Sequence, residues 1–111
     1  MLLTGINHLA FITSDMVKTI RFYRDLLGME LVAGIGHPGY RHYFFRCGNT
    51  QVAFFEYAGA KSMELKSHGS PTTLPLGFDH VSFTVGSRAD LFALKDRIEA
   101  AGAQVPDSVA H

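Results

Sequence analysis

A single cysteine, Cys47, stands among 111 residues, so no internal disulfide is available. That scarcity fits a reducing compartment. Cys47 sits in an apolar, aromatic stretch and reads as a small buried hydrophobe rather than a reactive thiol. Charge of either sign is not in excess: ten Lys plus Arg balance ten Asp plus Glu, and no basic block or aromatic-interleaved basic stripe occurs. A nucleic-acid partner is thereby disfavoured, because its electrostatic footprint is missing. Long hydrophobic runs are absent too, with no uncharged stretch near the roughly 20 residues that span a bilayer. The opening Met1-Leu2-Leu3-Thr4-Gly5 lacks a basic segment followed by an apolar run, the mark of a secretory signal. The expectation is a cytoplasmic protein with neither a membrane nor a nucleic acid as partner.

What the chain does have is a repeat. Gly5-Ile6-Asn7-His8-Leu9-Ala10-Phe11 returns as Gly77-Phe78-Asp79-His80-Val81-Ser82-Phe83, at a constant offset of 72 residues. Each copy runs into an amphipathic helical stretch, and these end at matching glycines, Gly28 and Gly102. A duplicated unit of structure is the simplest reading. Both copies put a histidine at the same strand position, and a fold pairing them about a two-fold axis brings two imidazoles together. Convergent imidazoles point to a metal site. With 47% hydrophobic residues, the chain suffices for one modest core and is read as a single domain over 1–111.

Periodicity places the elements. Between Gly5 and Thr13, Ile6, His8, Ala10 and Ile12 share one strand face, while Asn7, Leu9 and Phe11 share the other. Ser14 or Asp15 can cap a helix from Met16 to Leu27, whose Met16, Ile20, Tyr23 and Leu27 fall on one side, opposite Lys18, Arg21 and Asp25. Three β-prone runs follow, Met29 to Ile35, Tyr40 to Cys47 and Gln51 to Tyr57, separated by turn chemistry at 34–39 and 48–50. The first module is therefore expected over 1–57, a linker over 58–76, and the start of a second module over 77–111. In that second copy Phe78, His80, Ser82 and Thr84 share a strand face. Ser87 with Asp90 starts the next helix, whose buried stripe is Leu91, Leu94, Ile98 and Ala101. Ala103-Gln104-Val105 is expected to begin another strand.

The string His8, Ser14-Asp15 and Phe22-Tyr23-Arg24-Asp25-Leu26-Leu27-Gly28-Met29-Glu30-Leu31 resembles the opening of the vicinal oxygen chelate superfamily. That superfamily includes glyoxalase I, bleomycin-resistance proteins and extradiol dioxygenases. With Gly77-Phe78-Asp79-His80 and the helix ending at Gly102, the resemblance spans essentially the whole chain. It implies an α+β fold of paired β-α-β-β-β modules forming a cupped half-barrel, the second module being incomplete here. It also implies a divalent metal (Fe, Ni, Zn, Co or Mn), with His8 and His80 matching the two first-strand ligand positions.

The third ligand departs from the pattern. The fourth-strand position where relatives of this type carry a glutamate is Ala53. Glu56 is the nearest carboxylate, and its odd offset from Ala53 puts it on the other strand face unless a bulge intervenes; otherwise it faces solvent or pairs with an arginine. A carboxylate from the last strand of the second module would lie beyond His111, and the chain reads as a fragment, as lacking its final strands, or as completed by a partner chain. His37, in a Gly-Pro loop, and His68, in the linker, are expected to be solvated. His42, Tyr43, Phe44, Phe45 and Arg46 on the third strand and Phe54, Phe55 and Tyr57 on the fourth divide between core and cup lining.

Three functions follow as expectations. The first is a metal-dependent enzyme of the glyoxalase or dioxygenase type, acting on a small molecule that chelates the metal through neighbouring oxygens. The second is a metal-free protein that sequesters an aromatic drug or metabolite, and the third an interaction module completed by another chain. A homodimer is implied by the resemblance.

Overall fold

A computed structural model of the chain describes residues 1–62 and 68–103. It divides into two compact units, Met1–Lys61 and Ser62–His111. The first carries β1 (His8–Thr13), α1 (Met16–Ile20) running into a π-helical segment (Arg21–Leu26), β2 (Glu30–His37), β3 (Tyr40–Cys47) and β4 (Thr50–Glu56). In the second unit the helix α2 (Arg88–Ala100) is the regular element among the described residues. The fold is mixed α+β, built on an open four-stranded sheet in the order β1-β4-β3-β2.

Within that sheet β1 and β4 run parallel, while β4 with β3 and β3 with β2 are antiparallel. The parallel pair requires a crossover, and α1 with the π-helical segment begins it. Register partners project to the same side, so the sheet sorts its residues into two faces. One face carries Leu9, Phe11, Thr13, Val52, Phe54 and Glu56 together with Phe45 and Tyr43. The helical segment covers it: Tyr23 lies 4.6 Å from Phe54 and 6.1 Å from Phe45, and Phe54 stacks on Phe11 at 5.5 Å. Met16, Phe45, Val52 and Phe54 are buried there. The stripe read at Met16, Ile20, Tyr23 and Leu27 turns inward, and Lys18, Arg21 and Asp25 are exposed.

The helix departs from regular α geometry after Ile20. Leu27 N–H donates to the Phe22 carbonyl five residues back, the widened turn of a π-helix. Asp15 caps the start, accepting from Lys18 N at 3.1 Å. Thr19 is buried, and its one hydroxyl proton is shared between Thr13 Oγ1 at 2.8 Å and the Asp15 carbonyl at 2.9 Å, which ties the helix to the end of β1.

Two expectations change. β2 extends through Gly34 and Gly36 to His37, so the stretch read as a loop belongs largely to the strand, with Pro38-Gly39 as the turn. Gly34 is needed there because a Cβ would come within 2.5 Å of the Tyr43 ring. The second copy of the repeat, residues 78–85, makes no strand ladder, since a strand requires a neighbour to pair with and this unit supplies none among the described residues. Phe83 and Val85 are half-buried, as are Leu94 and Ile98 on α2, whereas Leu91 and Ala101 are exposed. Ser87 caps α2 by accepting from Asp90 N at 3.1 Å. Of the further strand read at 103–105, residues 104 and 105 lie outside the described residues.

Glu56 sits on the helix-covered face. It accepts from Arg41 Nε at 2.8 Å, from Arg41 Nη2 at 3.0 Å, and from the Met16 backbone N–H at 2.6 Å. These bonds, Arg41's first and then Met16's, hold its carboxyl below the ordinary carboxylate range. A folded-state value that is depressed contributes stability above the unfolded value of about 4.3, and that contribution is lost as pH falls through the folded value. Glu56→Gln is expected to lower the urea midpoint at about pH 7, since the amide keeps an oxygen for the Met16 N–H but removes the negative charge that the Arg41 guanidinium binds. The gap from wild type should close towards about pH 3. An equal gap at both pH values would sink this account.

Candidate metal centre

The two repeated histidines are held in the same way by the residue preceding each. His8 Nδ1 lies 2.8 Å from Asn7 Oδ1, and His80 Nδ1 lies 2.7 Å from Asp79 Oδ2. Fixing Nδ1 to an oxygen acceptor selects the tautomer whose Nε2 carries a lone pair, which is how metal-binding imidazoles are commonly oriented. Each unit thus offers one oriented, solvent-exposed imidazole, a donor type that suits a borderline divalent metal.

In the first unit His8 stands on the sheet face opposite the helix. Register puts Ala10, Ile12, Gln51, Ala53, Phe55, His42, Phe44 and Arg46 on that same open face. The His8 ring packs edge-on to Phe44 at 6.2 Å. In the second unit the His80 ring is 5.3 Å from that of His68, and Asp79 also accepts from Gly69 N at 2.7 Å. His68, read as simply solvated, is exposed yet paired with His80.

The acidic half of the site is settled for Glu56. β4 stays in register with both neighbours from Thr50 to Glu56, so no bulge turns Glu56 towards the open face. Its oxygens are committed to Arg41 and Met16. Glu56 is thus a structural carboxylate, the arginine-paired alternative of the two weighed from sequence. Ala53 does occupy the open face, level with Ala10 and Phe44, and is fully buried. Among the described residues, no three or more His, Cys, Asp or Glu side chains gather where they could hold a metal.

The alternation also sorts the aromatic residues: Tyr43, Phe45 and Phe54 belong to the core face, Phe44 and Phe55 to the open one. His37, read as solvated, instead ends β2 with a buried Nε2, and sequence reasoning did not bring it together with His42. Its ring stacks on Tyr40 at 4.5 Å, and lies 4.9 Å from His42. The available signal was parity, since 42 and 44 share a strand face.

The chain belongs to the Glyoxalase/Bleomycin resistance protein/Dioxygenase superfamily, whose family description matches residues 5–110. It is 27% identical over 84 residues to the metallothiol transferase FosB of Staphylococcus epidermidis, covering 76% of this chain and 51% of that protein. The chain thus spans about half the length of the curated relatives it matches. A glyoxylase/bleomycin resistance protein/dioxygenase domain from Frankia sp. EAN1pec superposes with a TM-score of 0.72 at 25% identity, covering 92% of this chain and 72% of that one. A variant of the fosfomycin resistance protein FosX from Listeria monocytogenes, complexed with Mn(II) and 1S,2S-dihydroxypropylphosphonic acid, gives a TM-score of 0.66 at 18% identity, covering 93% and 73%. No helix among the described residues is long and apolar enough to cross a membrane.

If the Nδ1 contacts orient the imidazoles for a metal, Asn7→Ala and Asp79→Ala should each weaken metal affinity roughly 10- to 100-fold without unfolding the chain. Competition with a chelating dye, alongside far-UV circular dichroism, measures both. Unchanged affinity in both variants contradicts the assignment.

Proposed function

We propose that the chain is a metal-dependent enzyme acting on a small molecule with neighbouring oxygen atoms, and that His8 and His80 ligate the metal through Nε2. The observation that carries this reading is the matched pair of Asx–histidine contacts at the two repeat positions. Family membership supports it, as does the diol phosphonic acid with Mn(II) named for the FosX relative, since that compound presents adjacent oxygens. The bound metal supplies Lewis-acid polarisation of a substrate oxygen. Asn7 and Asp79 hold the two imidazoles, and the apolar surface of Ala10, Ile12 and Phe55 favours the carbon skeleton of a substrate over water. The more specific expectation within this reading is drawn from two relatives, the metallothiol transferase FosB and the fosfomycin resistance protein FosX. A homodimer belongs to the same reading, because β1 and β2 are edge strands.

A metal-free binding protein is the second reading, and one observation favours it: Ala53 stands on the open face where a carboxylate was expected, beside Phe44 and Phe55. The two are separated by metal content. Protein purified without chelator should hold about one equivalent of Mn, Fe, Co, Ni or Zn, reduced in His8→Ala and His80→Ala. With Mn(II) added, phosphorus NMR should show fosfomycin consumed, with or without a thiol such as cysteine. Below roughly a tenth of an equivalent of metal, with ligand affinity intact in His80→Ala, the binding-protein reading stands instead.

A further inference from the structure

On the open face of the sheet, three imidazole nitrogens are buried without a hydrogen-bond partner: His37 Nε2 and both His42 Nδ1 and Nε2. Buried polar atoms in folded proteins are nearly always satisfied, and an unexplained set marks an ion or water that completes the structure. The two rings come from adjacent strands of the β2–β3 hairpin. His42 is opposite Ile35, and His37 sits one diagonal step away on the same face.

Both rings are positioned by aromatic neighbours. His37 stacks on Tyr40, and His42 is held edge-on by Phe55 at 4.8 Å and by Phe44 at 5.4 Å. Their centroids lie 4.9 Å apart with planes at 87°. A metal sits about 2.0–2.1 Å from a ligating imidazole nitrogen, hence roughly 3.2 Å from the ring centre. Two imidazoles on one ion at a tetrahedral angle then place their centroids roughly 5 Å apart. The observed spacing matches two histidines on one ion as well as it matches edge-to-face packing, and the unpartnered nitrogens favour the ion.

We propose that His37 and His42 form a second metal site, distinct from the one proposed at His8 and His80. It takes a first-row transition ion of the copper, nickel or zinc type. Imidazole donors select such ions over magnesium or calcium, and copper(II) binds tightest in the series. The acidic residue that register puts on this face, Glu30, is paired with Arg46 at 3.2 Å across from the hairpin's far end, so the donor set here is nitrogen only. Two protein ligands leave the remaining positions for water or a small anion.

Copper(II) added to the full chain carrying His8→Ala and His80→Ala tests this without involving the first site. One ion per chain should bind, and its electron paramagnetic resonance spectrum should show coupling to two nitrogens. Adding His37→Gln or His42→Gln should cut the affinity at least about tenfold and remove one nitrogen from the pattern. In the unmodified chain, zinc should shift the ring-nitrogen NMR signals of His37 and His42 together, a check that does not depend on any variant folding. An aqueous copper spectrum, or binding untouched by both glutamine substitutions, would show that the rings are merely packed edge to face and overturn the proposal.

Discussion

One carboxylate joins three elements of the first unit. Glu56, at the end of β4, takes a two-pronged bond from Arg41 on β3 and a backbone bond from the first residue of α1. Strand pairing alone would leave the helix free to slide along the sheet, because apolar contacts carry little direction. The bond at Met16 fixes where the helix begins, and so brings Tyr23 over Phe54 and Phe45. The same commitment removes Glu56 from metal chemistry. The covered face is organised around a charge, and the open face is left with imidazole, amide and aromatic groups.

That division is what gives the first unit a usable surface. Period-two alternation sends Phe45, Val52 and Phe54 into the core and leaves His8, His42, Phe44 and Phe55 on the other side. Because β1 is parallel to β4, His8 stands level with Gln51 at one end of the face, whereas His42 pairs with Phe55 towards the other. His8 and the hairpin histidines therefore stand at different levels of one sheet face, with Phe44 between His8 and His42.

Much of this was legible in the residues. The helix stripe from Met16 to Leu27, the Asp15 and Ser87 caps, the bounds of β3 and the parity argument against Glu56 all rest on local geometry, which sequence spacing encodes directly. The π-helical turn was not legible, since Phe22 and Tyr23 suit an α-helix equally well. Gly34 and Gly36 looked like turn residues, yet Gly34 is small because the Tyr43 ring lies across it. Residues 78–85 alternate as a strand should, but alternation specifies a face and not a partner. The proximity of His37 to His42 was not legible because it depends on hairpin register, which glycines and a proline at 34–39 obscured.

The π-helical segment has a bearing on which changes of length the first unit tolerates. A widened turn absorbs one residue that a regular helix would not accommodate. Deleting a single position between Arg21 and Leu26 would let the segment return to α geometry, with the faces before and after it kept nearly in phase. The same deletion in a regular stretch would turn everything beyond it by about 100°. The segment is a place where chain length can change by one residue without turning the core stripe away from the sheet.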